Sequence, residues 1–115
     1  MGRIITTSRM DDINQAHEAD PEALGPIMAK LIIDGNVPVE AVAKLLAVSE
    51  PTIYRWMYGY SKPRDPDKIL KIKKMMTILR KAGRAKDLPL AGSTKERIKA
   101  TIALVAKHRP APRAT

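Results

Sequence analysis

Apolar residues recur along this chain at offsets of three and four. Nowhere do apolar and polar positions alternate over five or more residues with β-branched enrichment, so the pattern predicts helices and no strands. Residues 1–19 are polar and without a clear period, and read as a flexible arm with at most a short helical turn around 12–18. The first helix starts at Pro21 or Pro26 and runs to Asp34. Asp20-Pro21-Glu22 offers a capping carboxyl and a first-turn proline, Gly25-Pro26 interrupts it, and Gly35-Asn36 ends it; Ile27, Met28, Leu31 and Ile32 face inward. The second helix covers 38–46, with Ala41, Val42, Leu45 and Leu46 at helical spacing. After a break at Ala47-Val48, the third is capped by Ser49, carries Pro51 in its first turn, runs to Tyr58 and stops at Gly59. The fourth begins at Asp65-Pro66-Asp67 and continues to about Ala82, with Ile69, Ile72, Met76 and Leu79 as its apolar stripe. The fifth opens on a capping box, Ser93-Thr94-Lys95-Glu96, and Ile98, Ile102 and Val105 mark its inner face. The tail 109–115, with two prolines, reads as disordered. The expected fold class is all-α, with about five helices.

Composition narrows the chemistry. The 115 residues suffice for one compact domain with tails. There is no cysteine, which excludes disulfides and thiolate metal sites. His17 and His108 are isolated and cannot build a zinc site, so no metal or cofactor is expected. No apolar run approaches the roughly 20 residues of a membrane span, and residues 1–7 lack a run of signal-peptide length, which points to a cytoplasmic protein without membrane partners. A glycine-rich phosphate loop, a nucleophile elbow and a carboxylate pair near a histidine are all missing from the sequence, so no catalysis is expected.

Charge is unevenly distributed. The net charge is +9. Residues 1–36 hold three basic and six acidic side chains, a net of −3, whereas residues 37–115 hold 18 basic and six acidic, a net of +12. A basic segment of that strength attracts polyanions. All four aromatic residues, Tyr54, Trp56, Tyr58 and Tyr60, fall within seven positions.

The segment 39–59, Val39-Glu40-Ala41-Val42-Ala43-Lys44-Leu45-Leu46-Ala47-Val48-Ser49-Glu50-Pro51-Thr52-Ile53-Tyr54-Arg55-Trp56-Met57-Tyr58-Gly59, resembles the helix-turn-helix of the lambda-repressor-like and Cro-like family. Ala43 is small where two helices cross, Leu46 and Val48 fill the angle between them, and Ser49 caps the second helix. Ile53 and Trp56 seat that helix on the core and leave its other face for DNA. The resemblance covers about residues 24–82, including Gly59, Lys62-Pro63 and the amphipathic helix from Asp65. One departure is Ala47, where the family usually has glycine; a left-handed backbone there is strained. The resemblance implies a helix-turn-helix DNA-binding domain at 20–83. Residues 93–108 follow as an extra helix and a candidate oligomerisation element.

The candidate DNA-binding residues are Ser49, Glu50, Thr52, Tyr54, Arg55 and Tyr58, with Lys44, Lys62 and Arg64 as phosphate contacts. Arg55 can donate two hydrogen bonds to guanine or contact a phosphate. Glu50 can accept from a cytosine amino group or stabilise its own helix N-terminus. Trp56 belongs to the core. Lys68, Lys71, Lys73, Lys74, Arg80 and Lys81 cannot all reach one duplex, and about half of them read as a solvated face. These features describe a sequence-specific transcriptional regulator of double-stranded DNA, most simply a repressor, acting as a homodimer. The rivals are a phage DNA-packaging protein of the small-terminase kind, a replication-origin binder, and a module that holds a protein partner through the N-terminal arm or the last helix.

Overall fold

The computed structural model describes residues 5–108. The protein is all-α: among the described residues there are six helices and no strand. They are α1 (Ile5–Ala19), α2 (Leu24–Asp34), α3 (Val39–Leu46), α4 (Glu50–Met57), α5 (Pro66–Arg84) and α6 (Thr94–His108). The expected tail at 109–115 lies outside the described residues. None of the described helices is long and apolar enough to cross a membrane.

The helix starts follow the capping chemistry. Ser49 Oγ accepts from Thr52 N–H at the head of α4, and Asp65 accepts from Asp67 N–H at the head of α5. The capping box before α6 closes in both directions, with Glu96 N–H donating to Ser93 Oγ at 3.1 Å and Ser93 N–H donating to Glu96 Oε1 at 2.8 Å. At the start of α2 the structure differs from expectation. Asp20-Pro21-Glu22 forms a turn in which Glu22 N–H donates to Asp20 Oδ1, and the helix begins only at Leu24.

Four helices end in the same way. Asn36, Ala47, Gly59 and Lys86 take positive φ values of 55°, 57°, 77° and 64°. The amide one residue further on then reaches back to a helix carbonyl: Val37 to Ile32, Val48 to Ala43, Tyr60 to Arg55 and Asp87 to Ala82. This left-handed termination satisfies carbonyls that the helix leaves without partners. At Ala47 it costs backbone strain that glycine would not incur. The last carbonyls of α3 gain a further donor, because Lys68 Nζ reaches Leu46 O at 2.8 Å and Ala47 O at 3.3 Å.

One core draws on every helix. Ile13 of α1, Met28 and Ile32 of α2, Val42 and Leu46 of α3, Ile53, Trp56 and Met57 of α4, Ile72, Met76 and Leu79 of α5, and Leu104 of α6 form a single buried cluster. The tightest approach is between α2 and α4: a Cβ on Gly25 would run into the backbone carbonyl of Trp56. Glycine at this position lets the two helices cross closely.

Two expectations are corrected. Residues 5–19 are helical and Ile13 is fully buried, so this stretch is a docked helix in place of a flexible arm. It packs against Gly59, where a Cβ would lie 2.8 Å from the Ala16 side chain. The last helix is corrected too. Its buried side chains are Thr101, Leu104 and Val105, whereas Ile102 is 49% exposed. Thr101 tolerates burial because its hydroxyl donates to Arg97 O at 2.7 Å. The helix packs on its own chain, against α5 and α3. It finds room there because α5 buries a second row, Met75, Ile78 and Ala82, beside the expected one. Its inner face is therefore used within one copy.

Candidate nucleic-acid interface

The α3–turn–α4 unit puts the sequence-predicted residues in three different situations. Ala43, Leu46, Ile53 and Trp56 are buried, Trp56 with 7% exposure. At 100° per residue, Pro51, Arg55 and Tyr58 fall on the side of α4 opposite Ile53. Pro51 and Arg55 are exposed and Tyr58 is half-buried.

Arg55 is the one cation of α4, and it makes no ion pair among the described residues. Its five donors are therefore open to an external acceptor. Glu50 is exposed in the first turn of α4, where its charge favours the helix N-terminus. Ser49 and Thr52 are engaged with each other: their hydroxyl oxygens lie 2.9 Å apart, and the Thr52 amide also donates to Ser49. Both serve the cap first.

Tyr54 and Tyr58 are half-buried and rest on the core cluster. Their rings stack, with centroids 6.4 Å apart and planes 19° from parallel. Tyr60 continues the row, its ring 5.9 Å from that of Tyr58, and it is 74% exposed. Tyr60 is not among the sequence-predicted contacts, although it belongs to the aromatic cluster and follows Gly59 directly. The row gives the end of α4 a partly apolar edge with a polar rim.

The phosphate candidates separate. Arg64 is exposed and makes no ion pair among the described residues. Lys44 is exposed and only loosely attached to Glu40, at 3.8 Å. Lys62 is committed elsewhere, since its Nζ sits 2.5 Å from Asp20 Oδ2. That hydrogen bond holds the Asp20 carboxyl below its ordinary range. The pair ties the segment after α4 to the α1–α2 turn, beside a groove of about 790 Å³ that Asp12, Glu22, Trp56 and Tyr60 also line.

A second groove, of about 410 Å³, lies between the heads of α4 and α6. Glu50, Tyr54, Glu40 and Arg97 line it. Arg97 is fixed there by two 3.1 Å hydrogen bonds to Asn36, through the backbone oxygen and through Oδ1. Asn36 in turn donates to Leu90 O, and Leu90 N–H donates to Gly35 O at 2.8 Å. The segment leading into α6 thus clasps the α2–α3 turn that orients α3. The sequence showed Lys68 only as one of a group of basic residues and did not show the role of Arg97, because both roles depend on contacts with residues more than 20 positions away.

Among the described residues no cluster of three or more histidine, aspartate or glutamate side chains is placed to hold a metal ion. Set against family models, curated proteins and solved structures, the chain matches none of them.

Proposed function

We propose that this protein is a sequence-specific binder of double-stranded DNA and regulates transcription, most simply as a repressor, with α4 entering the major groove. The observation that carries the reading is the division of α4 into two faces. Ile53 and Trp56 are buried against the core while Arg55 and Pro51 are exposed on the other side. The short α3, the left-handed Ala47 and the Ser49 cap set α4 at a fixed angle to its neighbour, which is how a helix-turn-helix presents a reading helix. Arg55 supplies the forked donor suited to guanine O6 and N7. Arg64 and Lys44 supply phosphate contacts that fix register without reading sequence.

One copy of this unit offers few base contacts, so the reading includes two copies on a two-half-site operator. The inner face of α6 is occupied within one chain, so the contact between copies falls elsewhere.

Selection of bound sequences from random duplex DNA tests the proposal. The expected result is enrichment of a short motif, repeated with a centre-to-centre spacing of about one helical turn. A selected pool with no enriched motif would contradict sequence-specific binding.

A further inference from the structure

Among the described helices α5 carries the most positive charge. From Pro66 to Arg84 it holds seven cations and one carboxylate, Asp67. Its buried residues Ile72, Met75, Met76, Ile78, Leu79 and Ala82 occupy one side. Placed at 100° per residue, Lys73, Lys74, Arg80, Lys81 and Arg84 fall together on the opposite side, within an arc of about 120°. All five are exposed, and none makes an ion pair among the described residues. No acidic residue interrupts this face; Asp67, in the first turn of the helix, is paired with Lys71 at 3.4 Å.

Like charges so close together repel one another, and apart from the favourable place of Lys81 and Arg84 in the last turn they add nothing to folding. Their arrangement fits an extended polyanion. From Lys73 to Arg84 the helix rises about 16 Å, a length over which duplex DNA presents about ten phosphate charges on its two strands. A helix lying against one side of the duplex faces about half of them. Five cations match that number.

We infer that the solvent face of α5 is a second nucleic-acid surface, which holds the phosphate backbone of duplex DNA without reading its sequence. It does not depend on base reading by α4. The partner is the phosphodiester backbone, and the affinity comes from counterion release.

The test is the salt dependence of binding to a random-sequence duplex, measured by fluorescence anisotropy on the full chain. The variant carries Lys73→Gln, Lys74→Gln, Arg80→Gln, Lys81→Gln and Arg84→Gln, all at exposed positions of good helix propensity; circular dichroism checks that it keeps its helices. For five neutralised phosphates, the α5 contribution to affinity falls roughly five-hundredfold between 50 and 200 mM salt, and the variant's log–log slope is shallower by about 4 to 5. A second variant, Arg80→Lys with Arg84→Lys, retains the charge and keeps the wild-type slope. Arg55→Ala changes the slope by about one or less. Failure of sequence selection would remove the α4 reading and leave this result standing. An unchanged slope in the five-substitution variant would overturn the inference. So would binding of the wild type to phosphatidylserine vesicles but not to duplex DNA.

Discussion

The helices α4 and α5 are consecutive in the chain and divide two physical tasks between them. In eight residues α4 carries one carboxylate and one guanidinium, a net charge of zero. It presents a short exposed face and leads into the tyrosine row of Tyr54, Tyr58 and Tyr60. In 19 residues α5 carries a net charge of +6 and buries two apolar rows. The excess charge of the protein is thus not on the helix whose geometry suits base reading. A neutral helix discriminates through shape and hydrogen bonds, whereas a cationic one contributes affinity that any sequence satisfies equally. Lys68 ties α5 to the end of α3, its ammonium on the carbonyls of Leu46 and Ala47 at the turn that leads into α4.

The comparison predicts opposite sensitivities. Trp56→Ala removes the aromatic that seats α4 and should lower stability by about 3–5 kcal/mol, read as a shift in the urea midpoint. The five glutamine substitutions on α5 should together shift that midpoint far less, by about 1 kcal/mol or less, since exposed changes lie within about 0.5 kcal/mol of either sign and partly cancel. A large loss from the α5 set would show that its outer face serves the fold.

Lys68→Met should cost about 1 kcal/mol, because it strips a charged donor from two helix-end carbonyls. The same change at Lys73, which touches none, should cost nothing measurable by thermal unfolding. Ala47→Gly should act in the other direction. It relieves a left-handed alanine, against the greater freedom of glycine in the unfolded chain, for a gain of up to about 1 kcal/mol. A loss would mean that the turn before α4 is not strained.

The smallest expected effect concerns the far end of α5. Asp87 is held below its ordinary carboxylate range by the hydrogen bond with His108 and, next, by that with Lys107. His108 Nε2 lies 2.7 Å and Lys107 Nζ 3.0 Å from the same oxygen. A depressed folded-state pKa gives stability that is present above the unfolded value near 4 and lost as pH falls through the folded one. The C-terminus of α6 should therefore loosen below about pH 4, seen as faster amide exchange near residue 105. Asp87→Asn should remove that acid response, and an unchanged response would exclude this contact as its cause.

Much of α3, α4 and α5 was legible in the sequence because their signals are local. Ser49 and Asp65 announce helix starts, Ile53 and Trp56 sit three apart, and Ala47 stands where a left-handed residue is needed. The flanking helices were harder to read. Among the described side chains of α1 only Ile13 is fully buried, so no apolar period marks it, and its seat on Gly59 depends on a long-range contact. In α6 a buried threonine stands in the apolar face and an exposed isoleucine beside it, which rotated the expected stripe. The site followed the same rule. Arg55 was recognisable from its offset to Ile53, whereas the capture of Lys62 by Asp20 joins residues 42 positions apart.

The most direct test of the division between α4 and α5 compares Arg55→Ala with the five-substitution α5 variant, each titrated against the selected site and against a random duplex. Arg55→Ala should cost about 1–3 kcal/mol on the selected site and little on the random duplex. The α5 variant should lose the same factor on both. Equal losses on the two duplexes for Arg55→Ala would contradict the account, because α4 would then be holding phosphate and reading no bases.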